Sequence, residues 1–437
     1  MTNREKWKSP WGFFLSAVGS AVGLMNIWKF PYIVGKYGGA SFLILYLLCL
    51  FFVGLPLLIS EIILGRATQA NPPLAFEKLG GRNWSYVGKG ILLLGLMISS
   101  FYSVVAGKVF GYLVEAAFYP FQFQTIQDAT LHYQQLESSH IWSIFFHAGF
   151  LSVCFLILYR GIRRGIEWGN RLMMPVLFFL LLFLTVRSFF FPQALKGLSF
   201  LFSPNWRGFS LEALMIALGH ACFTLSVGQG TMITYGSYLS SRENIPLTTL
   251  SIACVDTIIS LLISITLFAT IFSVGLLPDS GPGLLFHTLP YVFSYLSGGY
   301  FLSIFFFFIV LLAAIGSEIS VMEPCIAHLI DQWGWSRKKA VVSVVLIAFI
   351  LGIPFTLSGR CLGWIDGVVS TFFLPLSALL TICFVTWKWG ILQASEEFFR
   401  GTTYRALSIC RCYFICFFKY VTPLSILFIL FIHFLFH

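Results

Sequence analysis

Eleven stretches of 18 or more predominantly apolar residues run through the chain, near residues 11–35, 41–64, 86–118, 141–159, 166–190, 211–239, 247–275, 299–329, 340–357, 364–386 and 418–436. A helix rises 1.5 Å per residue, so each stretch is long enough to cross a hydrocarbon core about 30 Å thick. The alternation of apolar and polar residues that marks a membrane β-barrel strand is absent. The expected fold is therefore an all-α, polytopic membrane protein. Composition agrees: 58% of the 437 residues are hydrophobic and 10% charged, against about 25% charged in a soluble domain.

The net charge of +10 would suit a polyanionic partner if the basic residues were gathered on one surface, but they sort by loop. With the N-terminus inside, the inside segments hold Arg4, Lys6, Lys8; Arg66, Lys78, Arg82, Lys89; Arg160, Arg163, Arg164, Arg171; Arg242; Arg337, Lys338, Lys339; and Lys388, Arg400, Arg405, Arg411, Lys419. These are 20 of the 27, and the outside loops at 120–140 and 276–298 have none. This positive-inside asymmetry reports topology, not nucleic-acid binding. It predicts a multi-pass protein of a bacterial inner (cytoplasmic) membrane, with the N-terminus in the cytoplasm and, after eleven spans, the C-terminus outside. The expected partners are membrane lipid and a small-molecule substrate, with no obligatory protein partner evident. The first apolar run leads into Asn26, Lys29 and Pro31 with no small-residue cleavage site and reads as a span, not a removable signal. Most of the ten cysteines lie mid-span and read as packing residues.

Two spans are interrupted in corresponding ways. The first contains Gly19-Ser20-Ala21-Val22-Gly23-Leu24-Met25-Asn26, and the sixth contains Phe223-Thr224-Leu225-Ser226-Val227-Gly228-Gln229-Gly230. Unwound backbone in lipid leaves N–H and C=O groups unpaired at several kcal/mol each, so such breaks are tolerated around a buried cavity. Spans 1 and 6 are five apart, and an odd five-helix unit inserts the second time with opposite topology. Paired broken helices in an inverted repeat point to a transporter's central site. Gly107 and Gly111, by contrast, read as helix-packing positions.

These residues resemble the neurotransmitter:sodium symporter family in its eleven-helix bacterial form, which is itself a standing example of that architecture. The resemblance rests on Ser20 through Tyr32 (SAVGLMNIWKFPY), Gly38-Gly39-Ala40-Ser41-Phe42, Ser100-Phe101-Tyr102, Gly165-Ile166-Glu167 through Met173-Met174-Pro175, and Phe223-Thr224-Leu225-Ser226 through Ile233-Thr234-Tyr235-Gly236-Ser237-Tyr238. It covers nearly the whole chain. It implies a single transporter domain over 1–437, a leucine-transporter-type five-plus-five inverted repeat with helices 1 to 5 at about 11–190, helices 6 to 10 at about 211–386, and an eleventh helix at about 418–436. It also implies sodium-coupled import of an amino acid by alternating access.

Residue by residue, the resemblance places a substrate carboxylate at the backbone of Leu24 and Met25 and the hydroxyl of Tyr102. The amine falls at the carbonyls of Ala21, Phe223 and Thr224 and the hydroxyl of Ser226, and the side chain among Ile98, Phe223, Gln229, Ser317 and Val321. Half-helix N-termini suit an anion and unwound carbonyls suit Na⁺ or an ammonium group. One sodium site would use Ala21, Asn26, Thr224 and Asp256 with the substrate carboxylate; a second would use Gly19, Val22, Ala313, Gly316 and Ser317. Oxygen-only ligands suit a hard monovalent cation. Lys29 and Asp366 would form an outer gate above a lid of Tyr102 and Phe223, and Arg4, Trp7, Tyr238 and Asp331 a cytoplasmic latch.

Six positions depart from the family's pattern. Met25 replaces a glycine beside the carboxylate position; Lys29 replaces an arginine and cannot make its two-pronged contact. Asp256 replaces an asparagine and sets a fixed negative charge beside the first sodium, while His220 replaces a glutamine next to Tyr46 and Ser260, where other members bind an anion. Chloride independence is expected. Gly316 removes a ligand from the second sodium site, leaving one sodium as the safer expectation. Glu318, two residues on, costs about 2.5 to 3.5 kcal/mol to insert and calls for a partner or a role. An alternative function follows: transport of another amine or zwitterion with a proton or cation at Glu318 replacing or supplementing the second sodium. Glu61 and Glu115 read as structural or pore-side partners. An enzyme is not expected, because His132, His140, His147, His220, His287 and His328 are scattered with no metal or nucleophile spacing. A channel would need a continuous polar stripe, which these spans lack.

Overall fold

The structure, a computed structural model, describes residues 5–206, 210–276, 283–401 and 413–436. Among these it is helical, with one isolated bridge between Gly39 and Pro204 and no strand. Nine continuous helices are long and apolar enough to span a membrane: α2 (Ala40–Thr68), α3 (Arg82–Phe118), α4 (His140–Tyr159), α5 (Ile162–Ser188), α7 (Ile245–Phe272), α8 (Gly299–Trp333), α9 (Arg337–Leu357), α10 (Gly359–Phe399) and α11 (Tyr413–Ile432). The remaining two are the interrupted ones. In α1, Pro10–Ala21 and Leu24–Lys36 meet at a 60° bend. In α6, Leu211–Thr224 gives way to an unwound segment before Thr231–Gly236. By length and composition the described residues thus give nine spans, or ten with the bent α1, and the stretch expected at 211–239 holds the shorter helix Leu211–Thr224 and the turns after its break.

Local sequence fixes where these helices start. Ser9 caps α1 by accepting from the Gly12 N–H at 3.0 Å, with Pro10 in the first turn. Asn244 caps α7 in the same way through Leu247 N–H at 3.1 Å. Cap and proline together satisfy or remove N–H groups that no carbonyl one turn back can accept. α10 departs from its expected bounds. It starts at Gly359 behind the cap Ser358 and runs to Phe399, past both ends of the apolar stretch at 364–386. The expected outer loop at 120–140 carries its own helix, Ile126–Ser138, capped by Thr125 and Asp128.

Buried side chains form one contiguous cluster from Trp7 to Ile429. α8 lies along α3 and against α1 and α5, and α2 lies against the second half of α6. The α2–α6 contact is close because both partners are glycine at the crossing: a Cβ on Gly65 would sit 1.9 Å from the Ile233 carbonyl oxygen, and one on Gly236 2.5 Å from that of Ile62. Gly107 and Gly111 do pack as expected, against His147 and Trp142 of α4.

A central cavity between two broken helices

The α6 break is held in left-handed backbone at Ser226 (φ 53°), Gly228 (φ 85°) and Gly230 (φ 79°). Two of these are glycine, which adopts that region freely; Ser226 does so at a cost of about 1–3 kcal/mol and is held by its surroundings. Its Oγ donates to the Ser20 carbonyl in the α1 break at 2.8 Å. Glu61 of α2 accepts the Gly228 N–H at 2.5 Å, and Ser377 of α10 donates to the Gly228 carbonyl at 2.5 Å. Glu61 thus has the structural role expected of it. Glu115 Oε1 lies 2.8 Å from His132 Nε2.

The α1 break is extended at Val22 and Gly23. Leu24 N–H donates to the Tyr102 hydroxyl at 3.2 Å, and Ser317 Oγ donates to the Ser20 carbonyl at 3.0 Å. Between the two breaks lies a cavity of about 20 Å³ lined by Ser20, Ala21, Gly23, Leu24, Met25, Asn26, Ile98, Tyr102, Phe223, Ser226, Gln229, Ser317 and Val321. Ten of the eleven residues expected around a substrate are in that lining; Thr224 is buried behind it. Two larger cavities, of about 290 Å³ and 240 Å³, flank it. Met25 lines all three, Phe223 is shared with the first and Tyr102 with the second, so these side chains are the walls between them.

Behind the cavity, Asn26, Thr224, Asp256, Tyr46 and Ser260 converge. Asn26 Nδ2 lies 2.8 Å from Asp256 Oδ1 and 2.9 Å from both Thr224 Oγ1 and Ser260 Oγ, while Thr224 donates to Asp256 Oδ2 at 2.9 Å and Tyr46 reaches that oxygen at 3.5 Å. His220 joins none of this through hydrogen bonds. Its ring stacks on Phe30 at 5.1 Å, and neither nitrogen has a partner among the described residues. On the other side of α1, Gly316 of α8 lies against Gly19: a Cβ there would be 2.5 Å from the Gly19 carbonyl oxygen. Ala313 and Val22 are both buried.

The outer pair forms, Lys29 to Asp366 at 3.8 Å, with both side chains part-exposed. A second pair there, Lys108 to Glu137 at 2.9 Å, escaped sequence reading because Glu137 comes from the helix inside the outer loop. At the opposite, basic face, Trp7 Nε1 donates to the Tyr235 carbonyl at 3.0 Å and Tyr238 donates to Glu323 at 2.9 Å. Arg337 clamps the same carboxylate at 3.0 and 2.7 Å. Asp331 accepts from Asn71 at 2.8 Å, and Arg4 lies outside the described residues. Glu323 and Arg337 were not singled out from sequence, although a carboxylate inside a span was signal enough to raise Glu323. Glu318 is fully buried, accepts from Ser99 of α3 at 2.5 Å, and does not line the cavity.

A model of the sodium:neurotransmitter symporter family matches residues 4–139 and 142–436. The chain belongs to that family. It is 32% identical to the uncharacterized sodium-dependent transporter YhdH of Bacillus subtilis over 97% of this chain and 96% of that one. It is 29% identical to the sodium-dependent neutral amino acid transporter B(0)AT3 of Rattus norvegicus, over 61% of this chain and 48% of that one. Its fold matches the crystal structure of MhsT in complex with L-phenylalanine with a TM-score of 0.90 at 33% identity, covering 98% of this chain and 99% of that one. The chain is accordingly a multi-pass, sodium-dependent symporter with the leucine-transporter-type fold that the resemblance implied.

Proposed function

We propose that this symporter imports a neutral amino acid with a large apolar or aromatic side chain across a bacterial inner membrane, its N-terminus in the cytoplasm. One observation carries the reading: both helix breaks open onto one cavity, with the Leu24 N–H and Tyr102 hydroxyl at one part of its wall and Ile98, Val321 and Phe223 at another. The first group suits a carboxylate, because the N-terminus of a half-helix offers N–H groups and a positive dipole end. The carbonyls of Ala21, Phe223 and Thr224 suit an ammonium group. The apolar wall suits a hydrophobic side chain, and Gln229 gives it one polar side. The cavity has room for about one water molecule, so binding requires Met25 and Phe223 to swing into the flanking spaces. Methionine, with three rotatable bonds, does this readily. The likeness to a transporter with L-phenylalanine bound supports the size class.

In this reading the first sodium is held by Ala21, Asn26, Thr224, Asp256 and the substrate carboxylate. A half-turn of the Asn26 amide presents its oxygen to the ion. The shared ligand couples the two: each binds weakly without the other. The second sodium is held by Gly19, Val22, Ala313 and Ser317. Asp256 already occupies the donors of Thr224 and Tyr46, so no anion is needed and uptake is chloride-independent. Lys29–Asp366 closes the outer side; Trp7, Tyr238 and Asp331, with Arg4, close the cytoplasmic side.

The test is uptake into proteoliposomes under an inward sodium gradient, with all twenty amino acids as competitors. Phenylalanine, leucine and their like are expected to compete best, with replacement of chloride by gluconate leaving uptake unchanged. Preference for a charged or very small amino acid, or loss of uptake in gluconate, overturns the corresponding part. A second reading, a proton at Glu318 supplementing sodium, is favoured by its Oε2, which is buried with no partner among the described residues. Glu318→Gln with an unchanged pH profile of uptake removes it.

A further inference from the structure

Gly316 should leave the second sodium site short of a ligand, since glycine brings no side-chain oxygen. The space it vacates is not empty of oxygen. Asn170, on α5, is fully buried, and its Nδ2 donates to the Ile166 carbonyl one turn back at 3.0 Å. That bond fixes the amide, so Oδ1 faces away from its own helix, and this oxygen is buried with no partner among the described residues. It is aimed at the α1–α8 groove. A Cβ built on Gly19 would lie 2.2 Å from it, and one built on Gly316 would lie 3.4 Å from it and 2.5 Å from the Gly19 carbonyl oxygen. An unpaired amide oxygen buried away from water costs about 1–3 kcal/mol, so it points to a partner the protein alone does not supply.

We propose that Asn170 Oδ1 is a ligand of the second sodium, replacing from α5 the oxygen that Gly316 removes from α8. This rests on the sodium-symport reading above and deepens it. A neutral amide oxygen is a hard donor of the kind Na⁺ takes. Glycine at 316 and asparagine at 170 are then one arrangement: a side chain at 316 would crowd both the Gly19 carbonyl and the amide. The consequence is a complete second site, and a transporter that takes up two sodium ions with each substrate. The ion also joins three helices, α1, α5 and α8, where the family pattern joins two.

The experiment is equilibrium binding of radioactive sodium to the purified full-length transporter, with L-phenylalanine uptake by proteoliposomes alongside. Wild type is expected to bind two ions, and Asn170→Ala to bind one over the same range, its second-site affinity lowered about tenfold or more, as for loss of one strong charge–dipole contact. Asn170→Asp keeps the oxygen and adds charge, and is expected to bind sodium at least about threefold more tightly, because ligand charge sets cation affinity. If the alanine variant does not survive purification, the aspartate variant decides: unchanged or weaker sodium binding overturns the proposal. So does unaltered binding of two ions by Asn170→Ala. Wild type binding one ion while sodium still drives uptake overturns the proposal but leaves the symport reading intact. Wild type with no sodium binding and no sodium-driven uptake overturns both.

Discussion

The two sides of the α1 break solve the same problem differently. On the Asn26 side, the polar side chains around Asp256 find partners: Asn26, Thr224, Tyr46 and Ser260 surround it, and its two oxygens both accept hydrogen bonds. On the Gly19 side, backbone carbonyls and Ser317 line a groove into which a different helix, α5, sends a side-chain oxygen with no partner among the described residues. The first is a preformed cluster built around a buried carboxyl group; the second carries no carboxyl group and leaves an amide oxygen unpartnered among the described residues. A buried charge must be paired where it stands, because leaving it alone costs several kcal/mol. Neutral oxygens can wait at a smaller cost.

This contrast can be broken at its strongest point first. Asp256→Asn removes the fixed charge; sodium half-saturation of uptake is expected to rise about 100-fold, the size of effect that follows loss of one member of a buried pair. It should also make uptake respond to chloride, read by exchanging chloride for gluconate, whereas no change at the Gly19 side should. Gly19→Ala, whose new methyl lies 2.2 Å from Asn170 Oδ1, is expected to weaken sodium dependence by about tenfold through displacement of one ligand while leaving the chloride response absent. If both substitutions changed the chloride response, the two sides would not be independent.

Smaller effects sharpen the comparison at the cavity between them. Met25 separates the cavity from both flanking spaces, so Met25→Gly is expected to shift preference toward bulkier side chains by about tenfold, a few methylene groups' worth of pocket. The ratio of half-inhibition by tryptophan and by valine measures it. Sodium affinity should hardly move. Least of all, Lys29→Arg tightens a part-exposed pair at 3.8 Å and is expected to alter the substrate dissociation rate by no more than about threefold, since such pairs contribute about 0 to 1 kcal/mol.

Much of this was legible without coordinates. Glycine and small polar residues at mid-span are costly enough that Gly19–Asn26 and Phe223–Gly230 marked the two breaks, and the residues around them reappear as one cavity lining. The helix starts at 10 and 245 are set by caps, Ser9 and Asn244, that the apolar stretches alone did not single out. The far end of α10 was missed because the charged residues near Glu397 read as loop. In the fold they are paired: Arg66, buried in α2, meets Glu397 at 2.6 Å. The Arg337–Glu323 clamp was missed for another reason: a carboxylate inside a span signals a partner, but only the packing of α8 against α9 shows that the partner is Arg337.

What the sequence determined by itself is the set of spans, their breaks and the chemistry available at each break, because period, length and composition act along the chain. Only the tertiary structure decided which oxygens face one another at each break. Gly316 in sequence reads as a lost ligand, and Asn170 as one more polar residue in a family motif. Their meeting depends on α5 lying against α1 and α8, a packing arrangement in which residues nearly 150 positions apart share one groove. Charge and hydrophobicity are properties a residue carries with it; coordination is a property of neighbours, and neighbours are chosen by the fold.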